Sequence, residues 1–359
     1  MHSEILLEVN NQNFTGWNKV NIKRGMREFL GSFTLELVDS GPGSPFGQVF
    51  NGDKCRIFVR STDQVSAQDI EILTGFIDQV DKNRTGRSTS MGVSGRDITQ
   101  DLVDCSAVVP SNTWTKATLT KMAEDLAKPF DLFVDDYTDS SAPFKNFTVQ
   151  NGESGFSVIE RAARQLGVLP LSNRFGDVVL TYAADSNTPV VADLVDGENI
   201  LSITESSSLK GRYSTYTLRG QNSGGGSAWK KSTTALKAKA TDQTITRHRP
   251  LIVLAEGKTD QINLQKRANW EAQIRAGRSL VHTVQVVGWF THTSDQTSEL
   301  QPWAPNSVVN LVSAPLGVDA RRIIETVEFT LDNAGGQITT LDLVDPRTYA
   351  RDPDGKVDF

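Results

Sequence analysis

Apolar and polar residues alternate over short stretches in the first hundred residues, a pattern typical of half-buried β-strands. Phe33, Leu35 and Leu37 have polar neighbours, and residues 55–59 repeat the pattern. Clusters of Gly, Pro, Asn and Asp lie between these stretches, and residues 81–86 have the composition of a hairpin connection. Short strands at this spacing predict a small barrel or sandwich.

The period becomes helical after about residue 97. Apolar residues recur at helical spacing over 119–126, where Thr118 is suited to the N-cap position. A second amphipathic helix is predicted over Gly155–Leu166, and Gly167 supplies the left-handed residue that ends it. A third helix is predicted over 260–276, although its apolar residues mix two periods. This middle region therefore has α+β character.

Strand-like patterns return after the turn at residues 196–197. The predicted strands cover 200–204, 213–218, 283–289, 307–313, 322–331 and 337–344. A Gly/Ser-rich stretch at 221–227 predicts a loop, and the Lys-rich stretch 230–244 is expected to prolong it.

Two hairpins resemble each other in the first and last parts of the chain. A strand enters an Asp-initiated turn at Asp81 and again at Asp332, and a Ser/Thr-rich strand follows each turn. Such hairpins are common in β proteins, so these residues alone leave a structural duplication open.

Composition excludes several classes of protein. Of 359 residues, 22% are charged and 38% hydrophobic, which argues against disorder and coiled coils. The longest aliphatic stretch, residues 251–255, is far too short to cross a bilayer, and no membrane anchor is predicted. Residues 1–8 lack the features of a secretory signal, so we expect synthesis and folding in a cytoplasm. Cys55 is expected to be a buried strand residue and Cys105 to lie near a domain boundary.

The net charge of −6 is unevenly distributed. Residues 1–96, 97–204, 205–285 and 286–359 carry net charges of 0, −9, +9 and −6. A basic segment can bind nucleic acid. Because acidic segments flank this one, neutralisation within the fold or at a subunit interface is the favoured interpretation.

No motif for catalysis, metal binding or cofactor binding emerges. The spacing of His248, His282 and His292 fits no zinc motif. The fragments at 31–32 and 43–44 lack a nucleophile elbow, and Ser154 and Ser157 are explained as helix-start residues.

Acidic pairs and a glycine-rich segment are equally unspecific. The pairs at 124–125 and 135–136 leave a glycosidase open, but adjacency in sequence does not place two carboxyl groups across a cleft. The glycines at 224–226 lack a phosphate-binding frame. The sequence therefore favours an assembly or binding role over enzymatic activity.

Further segments occur in a recognisable order and spacing. They are 14–24, 33–37 and 153–167, followed by 249–255, 267–271, 275–278, 288–289, 303–307 and 329–346. Together they resemble the baseplate hub proteins of Mu-like contractile-tailed phages over nearly the whole chain. The departure from the family pattern is the insertion near 221–239, which is either a docking arm or a tolerated loop.

The resemblance implies an α+β, mainly β protein with two tail-tube-like β-barrel domains and intervening α+β domains. The implied division is a first barrel at 1–100, an α+β domain at 101–195, a second barrel at 196–345 with a loop and helix inserted at about 220–280, and a tail at 346–359. It also raises the expectation of a true duplication.

The implied role is structural. The resemblance implies a homotrimer in the tail baseplate of a virion, assembled in the host cytoplasm and joining a sixfold tail tube to a threefold central spike. Further implied partners are baseplate wedge proteins and the tape-measure protein, with transient, non-specific passage of DNA through a channel. We expect that channel to be lined by acidic and neutral polar groups, and the basic segment to face other subunits or the spike.

Two alternatives remain. A spike or hub component of a type VI secretion system or a bacteriocin shares the double-barrel plan, although type VI spikes normally continue beyond the position where this sequence ends. A cell-wall glycan hydrolase is the third interpretation.

Overall fold

The structure is a computed structural model that describes residues 3–39, 47–61, 69–85, 88–138, 141–185, 187–221, 235–258, 261–291 and 300–350. Half of the described residues are in strands and 17% are in helices. The predicted class, α+β and mainly β, is confirmed.

The N-terminal part is built from seven strands. They are β1 (Ser3–Val9), β2 (Gln12–Phe14), β3 (Lys19–Gly25), β4 (Ser32–Asp39), β5 (Lys54–Ser61), β6 (Asp69–Arg84) and β7 (Thr89–Asp97). The alternation in β4 holds, since Phe33, Leu35 and Leu37 are all buried. The hairpin connection predicted at 81–86 is wrong in its start, because β6 continues to Arg84 and pairs with β7 throughout.

The middle part mixes helices and short strands. They are α1 (Gln100–Asp104), β8 (Thr113–Ala117), α2 (Leu119–Ala127), β9 (Val134–Asp136), β10 (Phe144–Thr148), α3 (Gly155–Leu166), β11 (Leu169–Ser172) and β12 (Val178–Thr181). Both predicted helices are confirmed. The Thr118 side chain accepts a hydrogen bond from the Lys121 N–H at the start of α2, and Gly167 ends α3 with a φ of +65°.

The last part contains nine strands and one long helix among the described residues. They are β13 (Val190–Val195), β14 (Ser202–Ser207), β15 (Thr215–Gln221), β16 (Ala235–Thr241), β17 (Pro250–Lys258), α4 (Gln261–Gly277), β18 (Leu280–Val287), β19 (Val308–Ser313), β20 (Val318–Asp332) and β21 (Gly336–Val344). The third predicted helix corresponds to α4.

The loop predicted over 230–244 is wrong where β16 lies. This strand pairs antiparallel with β15, and Ala238 and Ala240 are buried in a cluster with Leu264 and Ala268 of α4. Residues 222–234, with the Gly/Ser-rich segment, lie outside the described residues.

Thirteen strands form one continuous sheet that contains two similar units. In the first unit the spatial order is β1-β5-β6-β7-β4-β3, and in the second it is β13-β19-β20-β21-β18-β14. The two orders match strand for strand along the chain. One difference is that β1 is antiparallel to β5 whereas β13 is parallel to β19.

An acidic bulge occurs at the same place in both units. Asp78 is the extra residue of β6 against β7, and Glu325 is the extra residue of β20 against β21. With the bulges aligned, Asp81 corresponds to Glu328 and not to Asp332, which corrects the register of the hairpin comparison.

A backbone hydrogen bond, which we call the brace, occurs beside the bulge in both units. The Gly52 N–H donates to the Ile77 carbonyl at 2.7 Å, and the Asn306 N–H donates to the Ile324 carbonyl at 2.9 Å. Gly52 and Asn306 both have left-handed backbones, with φ of +87° and +64°. Matching order, bulge and brace identify a structural duplication.

Both units share one hydrophobic core on a single side of the sheet. Alternate residues of the paired strands from both units are buried there, for example Ile22, Leu35, Val284 and Leu341. The α+β part has its own core, in which α2 and α3 pack together. None of the helices that the structure describes is both long and apolar enough to span a lipid bilayer.

Candidate assembly interface

The two units meet edge to edge within the chain, where β3 pairs antiparallel with β20. Ile22 lies opposite Phe329, and Lys23 lies opposite Glu328. We call this contact the joint. It shows how an outer strand of one unit binds the long strand of the other.

The core side of the joint is apolar around Ile22 and Phe329. Ile22 is 0% exposed and Phe329 is 1% exposed. The Trp289 ring lies 5.3 Å from the Phe329 ring, and its Nε1 donates to the Thr330 carbonyl at 3.0 Å. We therefore expect apolar burial to contribute most of the free energy that holds the two units together.

The opposite side of the joint is polar. Asn21 Nδ2 donates to Glu328 Oε1 at 2.5 Å. Backbone N–H groups of Gly335 and Ala334 donate to the Asp332 carboxylate and lower its pKa. Hydrogen bonds to a charged group favour its ionised form, so this end of the joint keeps a negative charge.

A buried carboxylate secures the end of the described chain beside the joint. Glu325 accepts from Arg27 Nε at 2.9 Å and from the Tyr349 hydroxyl at 2.6 Å. Burial, and then the nearby Glu325 charge, raise the pKa of Tyr349. The bulged residue of β20 thus links the segment that follows β3 to the 3-10 turn Pro346–Tyr349.

The outward side of the sheet forms a polar face across both units. It alternates with the core-facing residues of β3, β4, β6, β7, β14, β18, β20 and β21 and is rich in Ser and Thr. Ile323 and Val344 are exceptions on this side, because they are buried in a separate apolar cluster. Thr283 Oγ1 donates to Asp342 Oδ1 at 2.7 Å across two of these strands. Charged residues on this face are basic Lys19, Lys23 and Arg96 and acidic Glu36, Asp81, Glu328, Asp332 and Asp342. The face is therefore polar with an excess of negative charge.

The basic segment builds a separate surface on the small sheet of β15, β16 and β17. One side of this sheet packs on α4. Arg219, Lys237 and Lys239 are exposed, together with Ile252 and Leu254, which are 56% and 72% exposed. We call this surface the basic face.

One carboxylate in each acidic pair considered for catalysis has structural partners. Partial burial opposes ionisation of Asp125, yet hydrogen bonds from Lys121 and Trp114 leave its pKa below the usual range. Asp136 accepts from the Thr138 N–H at 2.8 Å and also from the Thr120 hydroxyl. These contacts explain Asp125 and Asp136 as parts of the fold.

The histidines do not converge on a metal site. His282 is buried, with Nε2 3.2 Å from Glu205 Oε2; burial and then Arg322 lower its pKa. His248 is exposed, and His292 lies outside the described residues. Within the described ranges, no three His, Cys, Asp or Glu residues cluster as metal ligands.

The structure also shows where the Cys and Ser residues considered in the sequence lie. Cys55 is buried in β5, and burial raises its pKa to about 12. Cys105 is exposed at the end of α1. Ser154 caps α3 by accepting from the Ser157 N–H, and the fragments at 43–44 and 224–226 lie outside the described residues.

A cavity of about 440 Å³ lies between the first unit, the α+β part and the segment before β19. Arg24, Asn173 and Trp303 are among its lining residues. None of the described residues that line it is Asp or Glu, so this cavity lacks the carboxyl pair that glycoside hydrolysis requires.

Four family models match consecutive parts of the chain. Residues 4–97 match the N-terminal domain of Mu phage baseplate assembly protein GpP-like, and 99–182 match the second domain of baseplate hub protein gp44-like. Residues 212–269 match the third domain of tail protein NMB1110-like, and 261–352 match the fourth domain of Mu phage baseplate assembly protein GpP.

Whole-chain comparisons agree with these matches. Baseplate hub protein gp44 of Escherichia phage Mu is 30% identical over 351 residues, covering 96% of this chain and 88% of the relative. The 43 kDa tail protein of prophage MuSo2 from Shewanella oneidensis is 29% identical with a TM-score of 0.80, covering 96% and 99% of the two chains. A tail protein from Neisseria meningitidis MC58 has the same fold at 22% identity, with a TM-score of 0.78 and 99% coverage of both chains.

Proposed function

Because the chain belongs to the family of Mu-like baseplate hub proteins, we propose that it works as a trimeric adaptor between a sixfold tail tube and a threefold central spike in a contractile phage tail. Hub proteins of this family are components of the virion tail. Assembly of the trimer in the host cytoplasm is part of the proposal.

The observation that carries the proposal is the duplication within one sheet. Each chain holds two units with the same strand order, bulge and brace. Three chains supply six units, so a closed trimer presents nearly sixfold symmetry to a hexameric tube. The non-repeated parts keep threefold symmetry, which suits a trimeric spike.

The polar face supports a role as channel wall. A wall that passes DNA must not bind it tightly, because each phosphate neutralised by Lys or Arg adds salt-dependent affinity. Hydroxyl groups and an excess of carboxylates, as on this face, keep that affinity low. We propose that the polar face lines the channel through which the genome and the tape-measure protein pass.

The basic face is proposed to bind neighbouring subunits or the spike. Its mixture of exposed Arg219, Lys237 and Lys239 with exposed Ile252 and Leu254 is typical of a protein-binding surface. Tail tube, spike and wedge proteins are the partners proposed for the assembled baseplate. A trimer structure in which Lys237, Lys239 or Arg247 projects into the channel would contradict this arrangement.

We propose that the protein has no enzymatic activity. In each of the two acidic pairs one carboxylate, Asp125 or Asp136, is engaged in structural contacts. Purified protein is expected to leave a peptidoglycan suspension turbid. Clearing that is lost in an Asp136→Asn variant would instead favour a glycan hydrolase.

The proposal is tested by mass in solution. Sedimentation equilibrium over a wide concentration range should yield about 118 kDa, three times the chain mass of 39.3 kDa. Negative-stain images of the same sample should show rings with a central opening. A monomer at the highest concentration, alone and with tube and spike proteins, would contradict the adaptor role.

A further inference from the structure

Several strand edges of the sheet lack a partner among the described residues, and two of them correspond to the edges that meet at the joint. One is the outer edge of β14, which pairs with β18 on its other side. The second is the far half of β6, where Gln79–Arg84 pair with β7 on one side only. Ser202, Thr204, Glu205, Ser206 and Ser207 are exposed, as are most residues of the β6 half.

The duplication assigns a partner to each edge. In the first unit β3 occupies the place that β14 has in the second unit, and β20 in the second unit occupies the place that β6 has in the first. Because β3 and β20 already pair at the joint, the chain contains one complete example of the contact that both edges lack.

We propose that β14 of one copy pairs antiparallel with the far half of β6 of a second copy, in the register of the joint. This inference rests on the proposed trimer and names the surface that closes it. With the bulges aligned, the opposed residues are Ser207 and Val80, Ser206 and Asp81, Glu205 and Lys82, Thr204 and Asn83, and Ile203 and Arg84.

The charges at this register are complementary. Glu205 takes the place of Ile22, and Lys82 of the second copy takes the place of Phe329. Where the joint has two buried apolar side chains, the contact between copies therefore has an opposed acid and base. Cross-strand pairs of opposite charge stabilise a sheet, and like charges destabilise it.

The joint is apolar and the contact between copies is charged because the two contacts form at different times. The joint forms once within a chain and its apolar side chains are never exposed again. The edges of β14 and β6 are exposed until a second copy arrives, and charged side chains on an exposed edge oppose unspecific pairing. Glu205 and Lys82 thus permit one pairing register while keeping the separate chain soluble.

Cysteine cross-linking tests the register directly. In a Cys105→Ser background, Thr204→Cys combined with Asn83→Cys should yield a reducible covalent trimer under oxidising conditions. The matched control combines Thr204→Cys with Lys82→Cys. In the proposed register these two side chains lie on opposite faces of the sheet, and only a slip of one residue would bring them together. The control should therefore remain uncross-linked, as should each single variant.

Exchanging the two charges tests whether Glu205 and Lys82 attract each other across the contact between copies. Glu205→Lys or Lys82→Glu alone should weaken each contact between copies by up to about fivefold, and the double variant should restore association. Circular dichroism of the single variants checks that the fold is intact.

The outcomes separate the two proposals. A trimer by mass that cross-links only in the slipped pair, or not at all, overturns the strand pairing and leaves the adaptor role standing. A double variant that associates as weakly as the singles also counts against the pairing. A strict monomer overturns both.

Discussion

Replacing Phe329 by alanine measures how strongly the joint holds the two units of one chain together. Phe329 is 1% exposed and lies opposite Ile22 and against Trp289. Removing the ring exposes about 150 Å² of apolar surface, or about 4 kcal/mol at 25 cal/mol per Å². Measured costs of such changes are about 3–5 kcal/mol.

The duplication supplies the matched control. Lys82 occupies the equivalent position in the first unit and is exposed. Lys82→Ala should therefore change the free energy of unfolding by less than about 0.5 kcal/mol. Urea unfolding at a concentration where both variants are monomeric, followed by far-UV circular dichroism, compares the two substitutions on the same fold.

A loss below about 1 kcal/mol for Phe329→Ala would refute the reasoning. It would mean that the units are held by the polar side of the joint or by the parts between them. Equal losses in the two variants would also refute it, because the argument requires burial at one position and exposure at the other.

Two further predictions concern the first unit and α3. Gly95→Ala should destabilise the fold severely, because a Cβ atom there would lie 2.0 Å from the Phe76 carbonyl oxygen. Gly92→Ala has room for the added atom and should be tolerated. Thermal melts compare the two variants, and equal melting temperatures would contradict the prediction. The hydrogen bond from Arg161 lowers the pKa of Glu153 in the folded protein. The hydrogen bond should therefore stabilise the fold fully above the ordinary Glu pKa of about 4.3, and this stabilisation should be lost as the pH falls through the lowered pKa of the folded state. Urea titrations of wild type and Glu153→Gln from pH 7 to 3 should therefore converge at low pH, and a constant difference would contradict this prediction.

Local signals predicted the helices well. α3 has the boundaries expected from its apolar spacing, because Ser154 and Gly167 fix its two ends through short-range contacts. The strand β4 was equally predictable, since strict alternation marks a sheet with one buried side.

Strands whose character depends on distant partners were less visible. In β16, Lys237 and Lys239 alternate with small Ala residues, so the composition favours a loop and pairing with β15 decides the strand. The last residues of β6 are polar on both sides, and their strand conformation depends on β7.

The candidate interface was the least predictable feature. Its register follows from the pairing of β3 with β20, two strands at opposite ends of the sequence. The resemblance between the hairpins indicated a duplication, but only the bulges at Asp78 and Glu325 align it correctly. No local pattern marks Glu205 and Lys82 as equivalent to the two residues at the centre of the joint.

The joint also determines when the sheet can be completed during synthesis. Asn21 and Glu328, which hydrogen-bond across it, are 307 residues apart. At about 5–20 residues per second of synthesis, β3 waits roughly 15–60 s for β20 to leave the ribosome. During that interval its edge is open beside neighbouring nascent chains on the same messenger RNA. Charged side chains on an exposed strand edge oppose unspecific pairing. We therefore expect Lys19 and Lys23 of β3, which later lie on the polar face, to disfavour such pairing before β20 arrives.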